Sequence, residues 1–290
     1  MTPSDDNPHL RHIKQDCADF KALLDMPDRF PPRPDPGDGD FVGQVISTTS
    51  SRYFYTKAFI KRQPHRDELG LDIYGNPAVN PYIDMRLRNE AAALQLVAAH
   101  TTIPLPKLLG LWEQRQHDGS SLVYLKTAMV TDGVELGKLD PAVQPAAVAA
   151  VLEQLEADVL PQLRALRRGV IGSADPSLPV IPPSRFWGSK EKRVWPPVMG
   201  ASEDAFVFCH NDLDRQNILV DPQTFRIVCL LDWETAGFYP AEWELLYLKA
   251  NSRAERHRMS LKARDEHIRF WDNPKTDTSF IGSEKFNIIV

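Results

Sequence analysis

The sequence predicts an α+β fold with two lobes: a strand-rich N-terminal lobe containing one key helix, and a mainly helical C-terminal lobe. Residues 41–127 hold several short apolar and β-branched runs but a single helical pattern, at 84–100. A long helical pattern then covers residues 143–168, and short apolar runs between 205 and 231 indicate a small group of strands behind it. These three observations predict the fold class.

Three apolar runs surround the most polar stretch of the second lobe. Residues 205–209 are expected to form a buried strand, and residues 217–220 and 226–231 to form a hairpin. The Asp-Pro step between the last two runs favours a turn. Such a hairpin places Asn217 at the start of one strand beside Asp232 at the end of the other.

The polar side chains at these strand ends have the chemistry that phosphoryl transfer needs. One aspartate accepts the proton of an attacking hydroxyl, while an asparagine and a second aspartate hold the Mg²⁺ that neutralises the nucleotide phosphates. Asp212, Asn217 and Asp232 provide this set. Taken singly, His210 is interpreted as a core histidine and Asp214 as an ordinary turn cap.

The same residues resemble a known family. His210-Asn211-Asp212 with Asn217, followed by Asp232-Trp233-Glu234, is similar to the aminoglycoside phosphotransferase and choline kinase-like group of small-molecule kinases. The continuation at 233–244 resembles the fungal-type branch of that group. The resemblance implies a protein-kinase-like fold and transfer of the γ-phosphoryl group of ATP to a hydroxyl of a small molecule.

The resemblance also implies a role for each motif residue. Asp212 would be the catalytic base, Asn217 and Asp232 would be ligands of Mg²⁺, and His210 would support the catalytic loop. A protein substrate is disfavoured, because Asp232 is followed by Trp-Glu rather than Phe-Gly and no Ala-Pro-Glu segment follows.

Two other classes of function stay open. One is a nucleotide-binding regulatory protein of the same fold that has lost catalysis. The other is a metal-dependent hydrolase built on His210, Asp212 and Asp214, which needs more histidine ligands than this region offers.

A kinase-like site needs a lysine on a strand to bind the nucleotide phosphates. Residues 52–61 are rich in aromatic and β-branched side chains and are predicted to form one strand. Lys57 and Lys61 are four residues apart, so a strand would place both on the same side. We favour Lys61, because the apolar segment 58–60 precedes it directly.

The lysine in turn needs a glutamate on the following helix. In the helix predicted at 84–100, Leu87, Ala91 and Leu94 form an apolar stripe, and Glu90 falls on it. An unpaired buried charge costs about 3–5 kcal/mol, so we expect Glu90 to pair with Lys61. The alternative is that Glu90 sits at the edge of the stripe and reaches water.

The predicted phosphate-binding loop lacks the glycines of protein kinases. Residues 45–52 offer the hydroxyls and backbone amides of Ser47, Thr48 and Ser50 instead, with Gly43 as the nearby glycine. A plain hairpin turn explains this Ser/Thr run equally well. The choice between ATP and GTP stays open.

A second hairpin is predicted from residues 108–112 and 121–125, which flank an Asp-Gly step. Residues 126–133 would then connect the lobes. From the family resemblance, Met129 and Thr131 in this connector would present backbone groups to the adenine.

These expectations divide the chain into three parts. Residues 1–40 would be an extension with a short amphipathic helix and a Pro/Gly linker, residues 41–130 the nucleotide-binding lobe, and residues 131–290 the lobe with the catalytic loop, the metal site and the substrate site. In the last part, helices are expected at 241–250 and, solvated, at 252–267, and a long Pro/Gly-rich loop at 169–200 either approaches the substrate or lies on the surface.

Bulk properties are those of a globular enzyme. The net charge of −5 and the pI near 5.9 argue against nucleic acid and anionic membranes as partners. No apolar run is long enough to span a bilayer, the first residues do not resemble a signal peptide, and three scattered cysteines suggest reduced thiols. We therefore expect a cytoplasmic location. The oligomeric state is not predicted.

The acceptor is expected to be a small molecule with a hydroxyl group. Glu234, Glu242 and Glu244 follow the predicted metal site and would suit a cationic acceptor, such as an aminoglycoside or choline. The same carboxylates would equally serve to cap or pair within a helix.

Overall fold

The computed structural model describes residues 7–23, 31–47, 50–69, 82–183, 185 and 195–271. The described residues of the N-terminal half form two α-helices and five strands. They are α1 (Pro8–Leu23), β1 (Phe41–Ile46), β2 (Ser51–Tyr55), β3 (Ala58–Arg62), α2 (Ile83–His100), β4 (Leu108–Arg115) and β5 (Ser121–Ala128).

The five strands form one antiparallel sheet in the order β1-β2-β3-β5-β4. Helix α2 packs on this sheet through Leu87 and Ala91, which contact Val123 and Leu125 of β5. The helical pattern at 84–100 predicted this helix to within one residue. Its inward stripe is buried as expected, and Glu90 is buried with it.

The prediction of a single strand over residues 52–61 was wrong. The chain turns after Tyr55, and β2 and β3 pair as a tight hairpin with Arg52 opposite Lys61. Lys57 lies in this turn with 65% of its side chain exposed, where it pairs with Asp38 at 2.9 Å. Lys57 and Lys61 therefore do not share a face.

In the C-terminal half, the part of the chain that the structure describes forms three α-helices and seven short strands. They are β6 (Val134–Glu135), α3 (Gln144–Gln154), α4 (Leu160–Ala165), β7 (Arg167–Arg168), β8 (Gly172–Ser173), β9 (Phe206–Cys209), β10 (Ile218–Val220), β11 (Ile227–Leu230), β12 (Gly237–Tyr239) and α5 (Arg253–Trp271). The strands form two small antiparallel sheets, in the orders β11-β10-β6 and β7-β9-β12-β8.

The helical pattern predicted at 143–168 is interrupted. A π-helical segment, Leu155–Val159, separates α3 from α4, and the N–H of Leu160 bonds to the carbonyl of Leu155. Pro161 has no N–H to continue the α-helical ladder, so the local widening accommodates it. The irregularity predicted at Pro161 is therefore present as a π-helical segment. The helix ends at Ala165, before β7.

The main core lies in this half. The inward residues of α3 and α4, including Val151 and Leu163, pack against Phe208 and the indole of Trp233. Cys209 and Cys229 are buried small residues without disulfides, as expected.

The helix predicted at 241–250 is absent. Two short 3-10 turns, Ala241–Trp243 and Tyr247–Lys249, stand there instead. Glu244 lies between them, and its carboxylate accepts hydrogen bonds from the backbone N–H groups of His210 and Asn211. A continuous helix would not allow this inward turn of the chain at Glu244.

Both ends of the described chain follow the predicted pattern. Helix α1 is present, the linker at 31–40 has no helix or strand, and the charged helix α5 buries Ala263 and His267.

Across the described ranges, no helix combines the length and the apolar character needed to cross a bilayer. Much of the long loop, residues 184 and 186–194, lies outside the described residues.

Candidate active site

A cavity of about 670 Å³ lies between the two halves of the molecule. Its volume falls within the range of small-molecule sites, about 300–1,000 Å³. Five of the predicted site residues line it: Lys61, Glu90, Met129, Asn217 and Asp232. Residues separated by more than 100 positions in the sequence are thus brought to one cleft.

Lys61 lies at the centre of this cleft and joins the two halves. Its Nζ contacts Glu90 Oε2 at 2.7 Å and Asp232 Oδ1 at 2.6 Å. The pair predicted from the helical stripe is therefore present, and Lys61 rather than Lys57 is the buried lysine. Burial raises the pKa of Glu90, opposed by the charge of Lys61. Burial also acts on Asp232, but Lys61 and nearby arginines outweigh it and hold its pKa below the usual range.

The hairpin of β10 and β11 positions Asn217 and Asp232. Ile218 lies opposite Leu230, and the N–H of Leu231 donates to the carbonyl of Asn217 at 2.8 Å. Asp232 has a φ of 65°, a left-handed conformation that aspartate tolerates better than most residues. The strand-end placement predicted for the two residues is what the structure shows.

Asp212 contacts the same group. Asn217 Nδ2 donates to Asp212 Oδ2 at 3.0 Å, which leaves the amide oxygen of Asn217 as a possible metal ligand. Arg256 Nη2, from helix α5, donates to Asp212 Oδ1 at 3.1 Å. Burial, with the charge of Asp232, raises the pKa of Asp212 to about 6, while Arg256 opposes this shift. A carboxylate with this pKa can take up a proton near neutral pH.

His210 is buried and is bonded to the loop that carries Asp212. Its Nδ1 accepts from the N–H of Asp212 at 3.2 Å, so Nε2 carries the proton and donates to the carbonyl of Leu231 at 3.0 Å. Burial lowers its pKa to about 4. Both ring nitrogens are occupied by backbone groups, so the metal-hydrolase arrangement of His210, Asp212 and Asp214 lacks its histidine ligand.

Three carboxylates could hold a metal ion in the cleft. Glu90, Asp232 and Glu234 each bring an oxygen within 4.8 Å of the others. Oxygen ligands of this kind are those that Mg²⁺ prefers. Glu234 also forms an ion pair with the buried Arg86. The three carboxylates thus offer the oxygen ligands of a magnesium ion.

The acidic residues expected to suit a cationic acceptor are used inside the protein. Glu234 pairs with Arg86, and Glu244 accepts from the backbone of the catalytic loop. Only Glu242 of the three is exposed. The interpretation of these glutamates as a binding site for a cationic acceptor is therefore not supported by their positions, whereas pairing within the protein is.

The predicted phosphate loop is a hairpin turn between β1 and β2. Ser47 Oγ and the backbone of Ser50 bond to each other at 2.8 and 3.2 Å, and neither residue lines the cavity. Ser50 Oγ is bonded by the Arg52 guanidinium at 3.1 Å. Thr48 lies outside the described residues. Arg52 lines the cleft, so a guanidinium group is found on the side of the cleft where the hydroxyl groups of this loop were predicted.

The connector begins later than predicted, because β5 continues to Ala128. Met129 lines the cavity, but its N–H donates to the carbonyl of Lys57 at 3.1 Å. Thr131 does not line the cavity, and its carbonyl accepts from Asn7 Nδ2 at 2.6 Å. The backbone atoms predicted to meet an adenine are thus partly occupied by protein groups.

Sequence reasoning missed two contributions to the site. Helix α1 lines the cavity through His9, Ile13, Asp16 and Cys17. Arg256 reaches Asp212 from α5, which was predicted to be merely solvated. No local pattern marks either contribution, since each depends on contacts between distant parts of the chain.

Most of the chain matches a known protein family. The model of the phosphotransferase enzyme family matches residues 80–270, more than half of the chain. The chain belongs to the phosphotransferase enzyme family. The matched residues include α2 with Glu90 and the segment from His210 to Asp232. The predicted α+β fold class is confirmed by the combination of antiparallel sheets and α-helices. A search of curated protein sequences found no match.

Several solved structures of aminoglycoside phosphotransferases are distantly similar to this family member. A thermostable mutant of aminoglycoside phosphotransferase APH(4)-Ia is 15% identical, with 81% of each chain covered and a TM-score of 0.47. Aminoglycoside-3'-phosphotransferase of type VIII is 19% identical, with 92% of this chain and 95% of that chain covered and a TM-score of 0.42. APH(3'')-Id from Streptomyces rimosus is 15% identical, with 82% and 87% covered and a TM-score of 0.44.

Proposed function

We propose that this phosphotransferase-family protein is a small-molecule kinase that transfers the γ-phosphoryl group of ATP to a hydroxyl. The observation that carries the proposal is the convergence of Asn217 and Asp232 with the Lys61–Glu90 pair around one cleft, with Asp212 hydrogen-bonded to Asn217 beside it. Family membership supports the reaction class. Residues 41–130 would supply the nucleotide-binding lobe, and residues 131–290 the catalytic and acceptor-binding lobe.

Each residue has a defined task in this mechanism. Lys61, held by Glu90, would bind the nucleotide phosphates. Asp232 and Asn217 would hold Mg²⁺, which when bound neutralises charge on the transferring phosphoryl group. Asp212 would accept the proton of the acceptor hydroxyl, with its carboxylate oriented by Asn217 on one oxygen and by Arg256 on the other.

The acceptor is a small hydroxylated molecule that is neutral or anionic and not cationic. Arg256 lies beside the base with 35% of its side chain exposed, and Glu234 and Glu244 face inward. A guanidinium next to the reacting hydroxyl disfavours a polycation and is compatible with neutral or anionic acceptors.

A phosphotransfer assay tests the proposal. The protein is incubated with Mg-ATP and pools of hydroxylated metabolites, sugars, amino alcohols and aminoglycosides, and products are read by mass shift. The Asp212→Asn variant keeps the shape of the side chain but cannot act as a base, so turnover should fall by about 10²–10⁴-fold. Asp221→Asn, in the exposed turn after β10, is the matched control and should stay fully active.

The same assay separates the proposal from a catalytically silent nucleotide binder. In that case Mg-ATP would raise the melting temperature, but no pool would give a phosphorylated product. Near-normal turnover by Asp212→Asn would rule out the assigned base.

A further inference from the structure

Helix α1 bridges the two halves of the molecule beside the nucleotide cleft. At its N-terminus, Asn7 caps the helix by accepting from the N–H of Leu10 at 3.1 Å, and it donates to the carbonyl of Thr131 at 2.6 Å. About two turns before its C-terminal end, Asp16 pairs with Lys138 at 2.6 Å. The helix is therefore attached both to the connector and to the C-terminal half.

The apolar side of α1 packs against β1, β2 and the connector beside the cleft. Leu10, Ile13 and Cys17 are buried against the neighbouring side chains of the sheet and the connector, namely Val42, Val45, Phe54 and Met129. Three of these four, Val45, Phe54 and Met129, line the cavity themselves. The cavity stays open at about 670 Å³ with α1 in place, so the helix is a wall of the cleft and does not fill it.

His9 is the polar residue of this wall. It is only 5% exposed and lines the cavity. Its Nδ1 is buried and has no hydrogen-bond partner among the residues that the structure describes. A buried polar atom without a partner costs about 1–3 kcal/mol, so such atoms in native proteins call for an explanation. Burial lowers the pKa of His9, which favours the neutral ring.

The position of His9 along α1 indicates which part of a nucleotide it would meet. Two residues earlier, Asn7 is bonded to the connector at Thr131, whereas Lys61 and Asp232 form the phosphate and metal end of the cleft. In the proposed kinase the phosphates lie at Lys61, and the family resemblance implies that the nucleoside lies against the connector. His9 is thus on the nucleoside side.

We propose that α1 forms a wall of the nucleotide site and that His9 hydrogen-bonds the base or ribose of the bound nucleotide. This inference rests on the proposed function. It adds a binding residue that lies outside the matched family region, 52 positions before Lys61 in the sequence.

Calorimetric binding to the full-length protein tests the inference. ATP and GTP are compared first, and the nucleoside of the one that binds more tightly is then used beside inorganic triphosphate. His9→Ala should weaken binding of the nucleotide and of the nucleoside by the same factor, about three- to tenfold for one hydrogen bond. Its binding of inorganic triphosphate should not change.

Three further variants make the test specific. His12→Ala removes a neighbouring imidazole of α1 that does not line the cavity, and it should bind the nucleotide as the unmodified protein does. Lys61→Ala should show the reverse pattern of His9→Ala, with weaker binding of triphosphate and unchanged binding of the nucleoside. His9→Phe keeps a ring in the wall without its nitrogens, so it should lose affinity as His9→Ala does, even if the alanine variant fails to fold.

Two outcomes would overturn the inference in distinguishable ways. Unchanged nucleoside affinity in a folded His9→Phe variant would remove His9 from the site while leaving the kinase intact. Failure of the unmodified protein to bind ATP, GTP or inorganic triphosphate would remove the proposed function itself, and the inference with it.

Discussion

Arg256 Nη2 lies 3.1 Å from Asp212 Oδ1, so the C-terminal helix contacts the proposed catalytic base directly. Arg256 also pairs with Asp214, and its guanidinium lies 4.4 Å from the ring centroid of Tyr247. Asp214 begins the short turn that ends at Asn217. One side chain of α5 thereby restrains both the base and the turn that carries a proposed metal ligand.

Arg256→Ala should therefore lower kcat more than it changes KM for ATP. We expect about a tenfold loss, which corresponds to ~1.4 kcal/mol and is close to the smaller values for a charge-assisted hydrogen bond. Arg256→Lys should recover part of this loss. Steady-state kinetics check the effect, with the exposed Arg258→Ala on the same helix as control. Equal kcat in the two alanine variants would contradict a positioning role for Arg256.

The two lysines considered from the sequence should behave differently. Lys61 is buried between Glu90 and Asp232, whereas Lys57 is exposed in the β2–β3 turn. Lys61→Ala should raise KM for ATP about tenfold or more, because it removes a phosphate-binding charge worth over ~1.4 kcal/mol. Lys57→Ala should leave KM unchanged. The reverse result would show that the phosphates bind elsewhere.

The N-terminal sheet contains a fully buried ion pair that should dominate its stability. Arg62 donates two hydrogen bonds to the carboxylate of Glu68, and both side chains are inaccessible to solvent. Glu68→Ala would leave the guanidinium uncompensated, which costs about 3–5 kcal/mol. Urea denaturation measures this loss. Asp38→Ala, which breaks the exposed Lys57 pair, should change the midpoint little.

Glu244 should make stability depend on pH. Burial raises its pKa from the ordinary 4.5 to about 7, although two backbone N–H groups oppose the shift. The folded state therefore binds a proton at Glu244 that the unfolded state has released between these pH values, and the contribution of this group to the free energy of unfolding falls as pH rises through the window. Glu244→Gln should flatten this slope, by on the order of 1–3 kcal/mol across the window.

Urea unfolding of Glu244→Gln at pH 4.5, 6 and 7.5 checks the sign. The exposed Glu242→Gln variant serves as control, and it should keep the slope of the unmodified protein. A slope of the free energy of unfolding against pH that is more negative in Glu244→Gln than in the unmodified protein would contradict the direction assigned to this pKa.

The catalytic loop was predictable because its information is local. Asp212, Asn217 and Asp232 lie within 21 positions, and the intervening apolar runs fix the hairpin that joins them. Glu90 was predictable for a similar reason, since the helical period places it on a buried stripe that requires a partner.

The errors share a physical cause. Residues 52–61 have strand propensity throughout, and nothing in that composition shows that the chain reverses after Tyr55. At 241–250, the inward turn of Glu244 toward the backbone of His210 decides the conformation, and this tertiary contact overrides the helical pattern. His9 lines the cleft and Arg256 contacts Asp212 from elements far apart in the sequence, so no spacing rule could have found them.

Gly43 holds a further consequence for helix α1. A Cβ at this position would lie 2.7 Å from the Sγ of Cys17, too close for any ordinary contact. The absence of a side chain at Gly43 in β1 thus leaves the space that α1 needs to pack against this strand. The side-chain sizes at positions 43 and 17 should therefore vary inversely among relatives. A relative that keeps the helix here but carries a larger residue at 43 would need a smaller one at 17.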